Sequence, residues 1–211
     1  MSSLASTNVL HENARLRILD AWIEPGHVAR HSVPTVRWPV LDAGQPTPPP
    51  TFYPGGTEVT IGNPGQAGRR EIVFEILQEP QRSEAEVERL VTAPKWPTAP
   101  GQVLMLENSH VRMWDFRASL GMDRNDFHQH VLDNAWVVLG GGSALDVFEP
   151  DGRGGAAFVK TLTFNDGFVS WNQVRNGGFD EDCLTPLQPS CVHSVENAGE
   201  AEFREYLIEL K

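Results

Sequence analysis

The chain has 211 residues, enough for one large domain or two small ones whose cores need no disulfides. Its formal charge of −11 argues against nucleic acid or an anionic membrane surface as a partner, because a polyanion would be repelled. No apolar run approaches the roughly 20 residues that span a bilayer as a helix, and 19 glycines and 16 prolines break the apolar residues into short runs that suit an all-β design.

The N-terminal segment carries no basic stretch followed by an apolar core, so no secretory signal is expected and a cytoplasmic protein is the default. Further along, an internal repeat organises the reading. Glu12–Asp20 (ENARLRILD) resembles Glu107–Asp115 (ENSHVRMWD) at an offset of 95, which also aligns Gly26 with Gly121. Trp38–Leu41 (WPVL) lines up with Trp136–Leu139 (WVVL) at an offset of 98. Asn63–Glu71 (NPGQAGRRE) matches Asn197–Glu205 (NAGEAEFRE) at 134, an offset that also aligns Glu75 with Glu209. Three blocks in one order imply two copies of a β unit, the first shorter by 36 residues in its middle.

The stretch Ala43 to Pro54, with prolines at 48, 49 and 50, reads as an extended loop. Between the copies lies a proline-bracketed linker. Within it Ser83–Val91 (SEAEVERLV) has an N-cap residue and first-turn acids, which predict a short helix. The organisation is therefore a degenerate lobe over 1–80, a linker over 81–101 and a second lobe over 102–211. Strands are expected at His110–Ala118, Ala135–Leu139, Ala144–Phe148, Phe158–Phe164, Phe168–Trp171, Val192–Val195 and Phe203–Leu210, separated by turns such as Glu149–Arg153. So many short strands without helices between them suggest a closed barrel or sandwich.

Of the seven histidines, His128 and His130 form an H-x-H pair, and His193 follows about 60 residues later. Residues two apart on a strand project on one face, so the pair would aim two imidazoles into one space. If the strand continues unbroken, Asn134 and Trp136 share that face and Asp133 does not. Cys191 has the parity of His193. Cys183 and Cys191 are expected to remain thiols in a reducing compartment. Arg112, Arg117, Arg204 and Glu205 sit on strands, where they could orient a carboxylate substrate or form exterior ion pairs. Gly140–Gly142 is a turn without the helix that a phosphate-binding loop requires.

Gly121 before His128-x-His130, with Gly140 closing the stretch, resembles the first sequence motif of the cupin superfamily. His193–Asn197, an H-x-x-x-N run after Gly167, resembles the second. Asn108-x-x-Val111-Arg112-x-Trp114 and Glu196–Leu210 resemble the opening and ending of small single-domain cupins. The resemblance implies a double-stranded β-helix (RmlC-like, jelly-roll) in tandem, a bicupin. It also implies one divalent transition metal on His128, His130 and His193. Where many cupins place a metal-binding glutamate, this chain has Asn134, so the implied site is three-histidine with open positions. Asn134 then becomes a candidate catalytic group that hydrogen-bonds a metal-bound water or substrate, with Cys191 and Trp136 around the pocket. Three neutral imidazoles suit Fe²⁺, with Zn²⁺, Ni²⁺, Mn²⁺ or Cu²⁺ as alternatives.

The implied function is a dioxygenase acting on a small, anionic organic substrate, because cupin thiol and diketone dioxygenases hold iron on three histidines. The alternatives are a metal-assisted lyase, decarboxylase or isomerase, and a non-catalytic ligand-binding cupin. A homodimer is the expected assembly, since a partner commonly covers barrel edges. In the first copy the offsets put Arg30 and Ser32 in place of His128 and His130, and Val59 in place of His193. The first copy is accordingly read as a structural lobe, in preference to a second metal site on His27 and His31.

Overall fold

A computed structural model describes residues 6–24, 26–41, 48–61, 68–121, 123–175, 178–179 and 192–211. The chain divides into two compact units, Met1–Glu79 and Pro80–Lys211, so the linker belongs with the second. The fold is all-β, with one short helix among the described residues.

The first unit contains β1 (Thr7–Glu12), β2 (Leu16–Ile23), β3 (His27–His31), β4 (Thr35–Pro39), β5 (Thr51–Tyr53), β6 (Thr57–Ile61) and β7 (Arg69–Ile76). One sheet runs β1-β2-β7-β4-β5, and β3 pairs with β6. Burial alternates along β3, where His27, Ala29 and His31 are buried and Val28 and Arg30 are exposed, as expected of a strand with one face inward. The proline-rich stretch expected to be loop contributes β5, an edge strand that pairs only with β4. Prolines are compatible with an edge because it has a row of amides outside the ladder.

The second unit opens with α1 (Glu84–Thr92), capped as expected by Ser83 in a reciprocal box with Glu86. Its strands are β8 (Val103–Glu107), β9 (Val111–Ala118), β10 (His128–Gln129), β11 (Asp133–Val138), β12 (Ser143–Pro150), β13 (Ala156–Phe164), β14 (Val169–Asn172), β15 (Val174–Arg175), β16 (Gly178–Phe179), β17 (Val192–Asn197) and β18 (Phe203–Leu210). One sheet runs β8-β9-β18-β11-β14, another β10-β17-β12-β13, and β15 pairs with β16. The core cluster takes Trp114, Phe116, Trp136 and Leu207 from the first sheet and Leu145 and Val195 from the second, so it lies between them. Among the described residues no helix is long and apolar enough to cross a membrane.

The two five-stranded sheets have the same order, with β1, β2, β7, β4 and β5 standing where β8, β9, β18, β11 and β14 stand. The hairpin β12–β13 has no counterpart among the described strands of the first unit.

The ladders correct the middle offset. Thr35 pairs with Glu75 and Asn134 with Glu209, so β4 and β11 correspond at 99 positions and not 98. Ala29 pairs with Val59 as His128 pairs with His193, which is the same 99. Ala29 and His31, not Arg30 and Ser32, therefore occupy the places of His128 and His130. Arg30 is exposed and bonded to Glu58 on the neighbouring strand. The expectation that every ligand position of the first copy had lost its histidine fails at His31.

Candidate metal centre

The three histidines converge from two strands of one sheet. His128 on β10 faces His193 on β17 directly, and His130 follows immediately after β10 ends. Their ring centroids are 4.6 Å apart for His128–His193 and 5.1 Å apart for each of the other pairs. All three are buried, and one ligand nitrogen from each lies within 4.8 Å of the others. Two imidazoles on one ion, each at about 2.1 Å, stand at most about 4.2 Å apart. The set therefore fits a transition metal after the rings close by a few tenths of an ångström.

Local structure fixes this convergence. Gly121, at φ 69°, takes a turn conformation that L side chains avoid. The loop leading to β10 is then fastened to β17 by Asn125 N to Val195 O (3.0 Å) and Val195 N to Asn125 Oδ1 (2.6 Å). Arg124 adds a 2.6 Å bond to Ser194 Oγ. On the other side Gln129 N donates to Pro97 O of the linker at 2.7 Å, and Pro100 lines the cavity. Asn197, which ends the second motif, is a turn brace and not a ligand, since its Nδ2 donates to Ala118 O (2.6 Å) and Ala201 O (2.9 Å).

Burial sets the protonation states. It lowers the His128 imidazole to about 4, against a backbone hydrogen bond at Asp126 that favours the charged form. His130 falls well below the usual histidine range through burial and the proximity of His128 and His193. Neutral imidazoles are the metal-ligating form, so no proton has to be displaced from these two near neutral pH.

The cavity beside the histidines has a volume of about 30 Å³, with room for about one water-sized group. Trp136 and Glu205 line it together with the apolar Phe116, Leu145, Val147 and Phe164. The Trp136 Nε1 is buried without a hydrogen-bond partner among the described residues. Glu205 is buried too, and burial pushes its carboxyl up to about 8, with no charged partner or hydrogen bond acting on it among the described residues.

The other sequence candidates fall elsewhere. Asn134 is fully buried but does not line the cavity. Its Nδ2 donates to Leu132 O, and its Oδ1 accepts from Asn172 Nδ2, both at 3.0 Å. With both ends of the amide engaged, Asn134 is a framework residue and not the catalytic group expected. Asp133 accepts from Val174 N at 2.7 Å. Arg112 binds Glu209, while Arg117 and Arg204 both reach Asp115. Cys183 and Cys191 lie outside the described residues. Sequence reasoning left Glu205 unplaced between interior and exterior; its pairing with Phe116, a core residue of β9, would have decided this.

No family model matches the sequence, and no curated protein matches it. Solved structures do. An oxalate decarboxylase aligns over 93% of this chain and 69% of its own, with 12% identity and a TM-score of 0.51. The chain has the cupin fold. A cupin domain from Bordetella pertussis Tohama I aligns over 56% of this chain and 98% of its own, with 20% identity and a TM-score of 0.36. A cupin 2 conserved barrel domain protein from Leptotrichia buccalis aligns over 100% and 92%, with 14% identity and a TM-score of 0.40. Within this fold the histidine group lines one cavity with core residues from both sheets of the second unit.

One consequence of the Glu205 environment is measurable without metal. In the folded chain its pKa lies above the unfolded value, so its stabilising state is complete below about pH 4.5 and is lost as pH rises toward about 8. Glu205→Gln has no proton to lose. Urea unfolding of chelator-treated protein should show the variant gaining several kcal/mol on the wild type between pH 5 and pH 8. A difference that stays flat with pH would mean that Glu205 is ionised in the folded chain.

Proposed function

We propose that this protein is a metal-dependent enzyme holding one divalent ion on His128, His130 and His193, and that it oxidises a small, anionic organic substrate with O₂ as a dioxygenase. The observation that carries this reading is the buried three-histidine group opening onto a cavity. A neutral ligand set leaves a bound dication its full charge, which attracts an anionic substrate. When bound, the ion supplies Lewis acidity and a template for the substrate and, as Fe²⁺, a means of activating O₂.

The chain's own residues complete the site. Phe116, Leu145, Val147 and Phe164 give the cavity an apolar wall, which strengthens electrostatic contacts inside it. The Trp136 indole N–H, buried without an acceptor, is available to a substrate oxygen. Glu205 can hold or move a proton at its carboxyl. That last group favours a second reading, a decarboxylase or isomerase in which Glu205 would exchange the proton.

Metal analysis of protein purified without added metal, followed by O₂ uptake with a thiol carboxylate and a β-diketone, separates these readings. The dioxygenase reading expects bound iron and two ¹⁸O atoms in the organic product under ¹⁸O₂. Bound zinc or manganese with no O₂ uptake would favour the non-redox enzyme. No metal, with stability indifferent to chelators, would leave a ligand-binding cupin.

A further inference from the structure

The interior of the first unit carries different side chains at the positions equivalent to the histidine site of the second. The ladders identify equivalent interior positions in the two units. Arg37 pairs with Val73 as Trp136 pairs with Leu207, and Ala21 pairs with Glu71 as Phe116 pairs with Glu205. At these positions the first unit has exchanged an indole for a guanidinium. It has exchanged Phe116 for Ala21, His128 for Ala29 and His193 for Val59, and has kept His31 in place of His130. The small residues open a cleft of about 590 Å³, lined by Leu19, Ala21, Ala29, His31, Arg37 and Val73 among others.

Glu71, fully buried, takes the Arg37 Nε on one oxygen at 2.7 Å and the Arg69 Nε on the other at 2.7 Å. Two guanidiniums thus share one carboxylate. Glu75, which lines the cleft, shares Arg17 with Glu12, each at 2.9 Å, so three guanidiniums balance three carboxylates, and Arg30 is bound to Glu58. The Arg37 Nη2 is buried and, although 2.7 Å from Glu71 Oε2, is misaligned for a hydrogen bond. The His31 Nε2 is likewise buried without a partner among the described residues, its ring stacked on Tyr53 at 5.0 Å. Buried polar nitrogens without a hydrogen-bond partner are costly unless a ligand completes them, and a carboxylate can serve both, accepting from Arg37 and from a protonated Nε2 of His31. The alternative of a cation is not supported, because among the described residues the only group able to hold a metal is the one in the second unit.

We infer that this cleft binds a small organic monocarboxylate, with the carboxylate on Arg37 and the His31 imidazole and an apolar body against Leu19, Ala21, Ala29 and Val73. The site is separate from the metal centre, and its occupancy does not need the ion.

The test uses the full chain treated with chelator, so that no metal competes for the probe. Calorimetric titration with benzoate should show saturable binding, and the neutral isostere benzamide should bind at least about tenfold more weakly. Methyl signals of Ala29 and Val73 should shift on titration while those of Leu145 and Val147 in the second unit stay still. Arg37→Gln and His31→Phe, the latter keeping a ring on Tyr53, should each weaken benzoate by about tenfold or more. If Arg37→Gln does not fold, His31→Phe with the methyl shifts decides alone. Absence of benzoate binding would overturn the assignment. So would affinity unchanged in the folded variants, or shifts confined to the second unit.

Discussion

Replacing His193 with alanine is expected to reduce bound metal to less than about one tenth of the wild-type content after gel filtration, with the same result for His128→Ala and His130→Ala. The three nitrogens lie within 4.8 Å of one another, on or next to two paired strands, so each removal leaves two members of a set that has no fourth residue among the described ones to replace it. The metal-dependent part of stability should vanish in parallel. An ion that binds only the folded chain contributes about 2.7 kcal/mol at a concentration 100 times its Kd. Added metal should therefore raise the melting temperature of the wild type and leave that of the variants unchanged. His110→Ala, outside the group, is the control and should keep both metal and shift. Full metal content in all three variants would sink the ligand assignment.

The histidine cluster was legible in the sequence because H-x-H and a distant histidine are residue-type signals that survive without exact strand bounds. What periodicity was asked to carry beyond them failed for a structural reason. β10 belongs to one sheet and β11 to the other, so the chain changes sheet between Gln129 and Asp133, and the parity of His128 says nothing about Asn134. The match of Trp38 to Trp136 failed in a related way. Equal residues were aligned, but the ladders set Trp38 against Ile72 and Trp136 against Leu207, one position out of step. A one-residue slip turns every side chain to the opposite face, and so the interior Arg37 was hidden behind an apparent tryptophan match. Glu205 was ambiguous because all eight residues of β18 are buried, which removes the alternation that would show its face.

The repeat also provides a matched pair of ion networks, and from them the largest stability effect is expected at Arg112. Arg112 and Glu209 meet at 3.0 Å with side chains 10% and 0% exposed, and Trp114 Nε1 donates to the same carboxylate at 2.8 Å. Burial pushes the Glu209 carboxyl up to about 7, against the opposing pull of Arg112 and of that indole N–H. Arg112→Met keeps most of the side-chain volume but strands the acid, and breaking a buried pair on one side costs about 3–5 kcal/mol. Without the guanidinium the folded pKa of Glu209 climbs further above its unfolded value. The stabilising state is then the protonated one, present at low pH and lost as pH rises. The deficit of the variant should accordingly widen from pH 7 to pH 9 in urea unfolding followed by tryptophan fluorescence. The equivalent arginine of the first copy, Arg17, contacts Glu12 and Glu75 at 2.9 Å, but its side chain is 37% exposed. Water already screens that network, and Arg17→Met should move the unfolding midpoint far less, with no growth of the difference above pH 7. Equal deficits for the two variants would mean that the geometry of the triad, and not its removal from water, sets the energy of both.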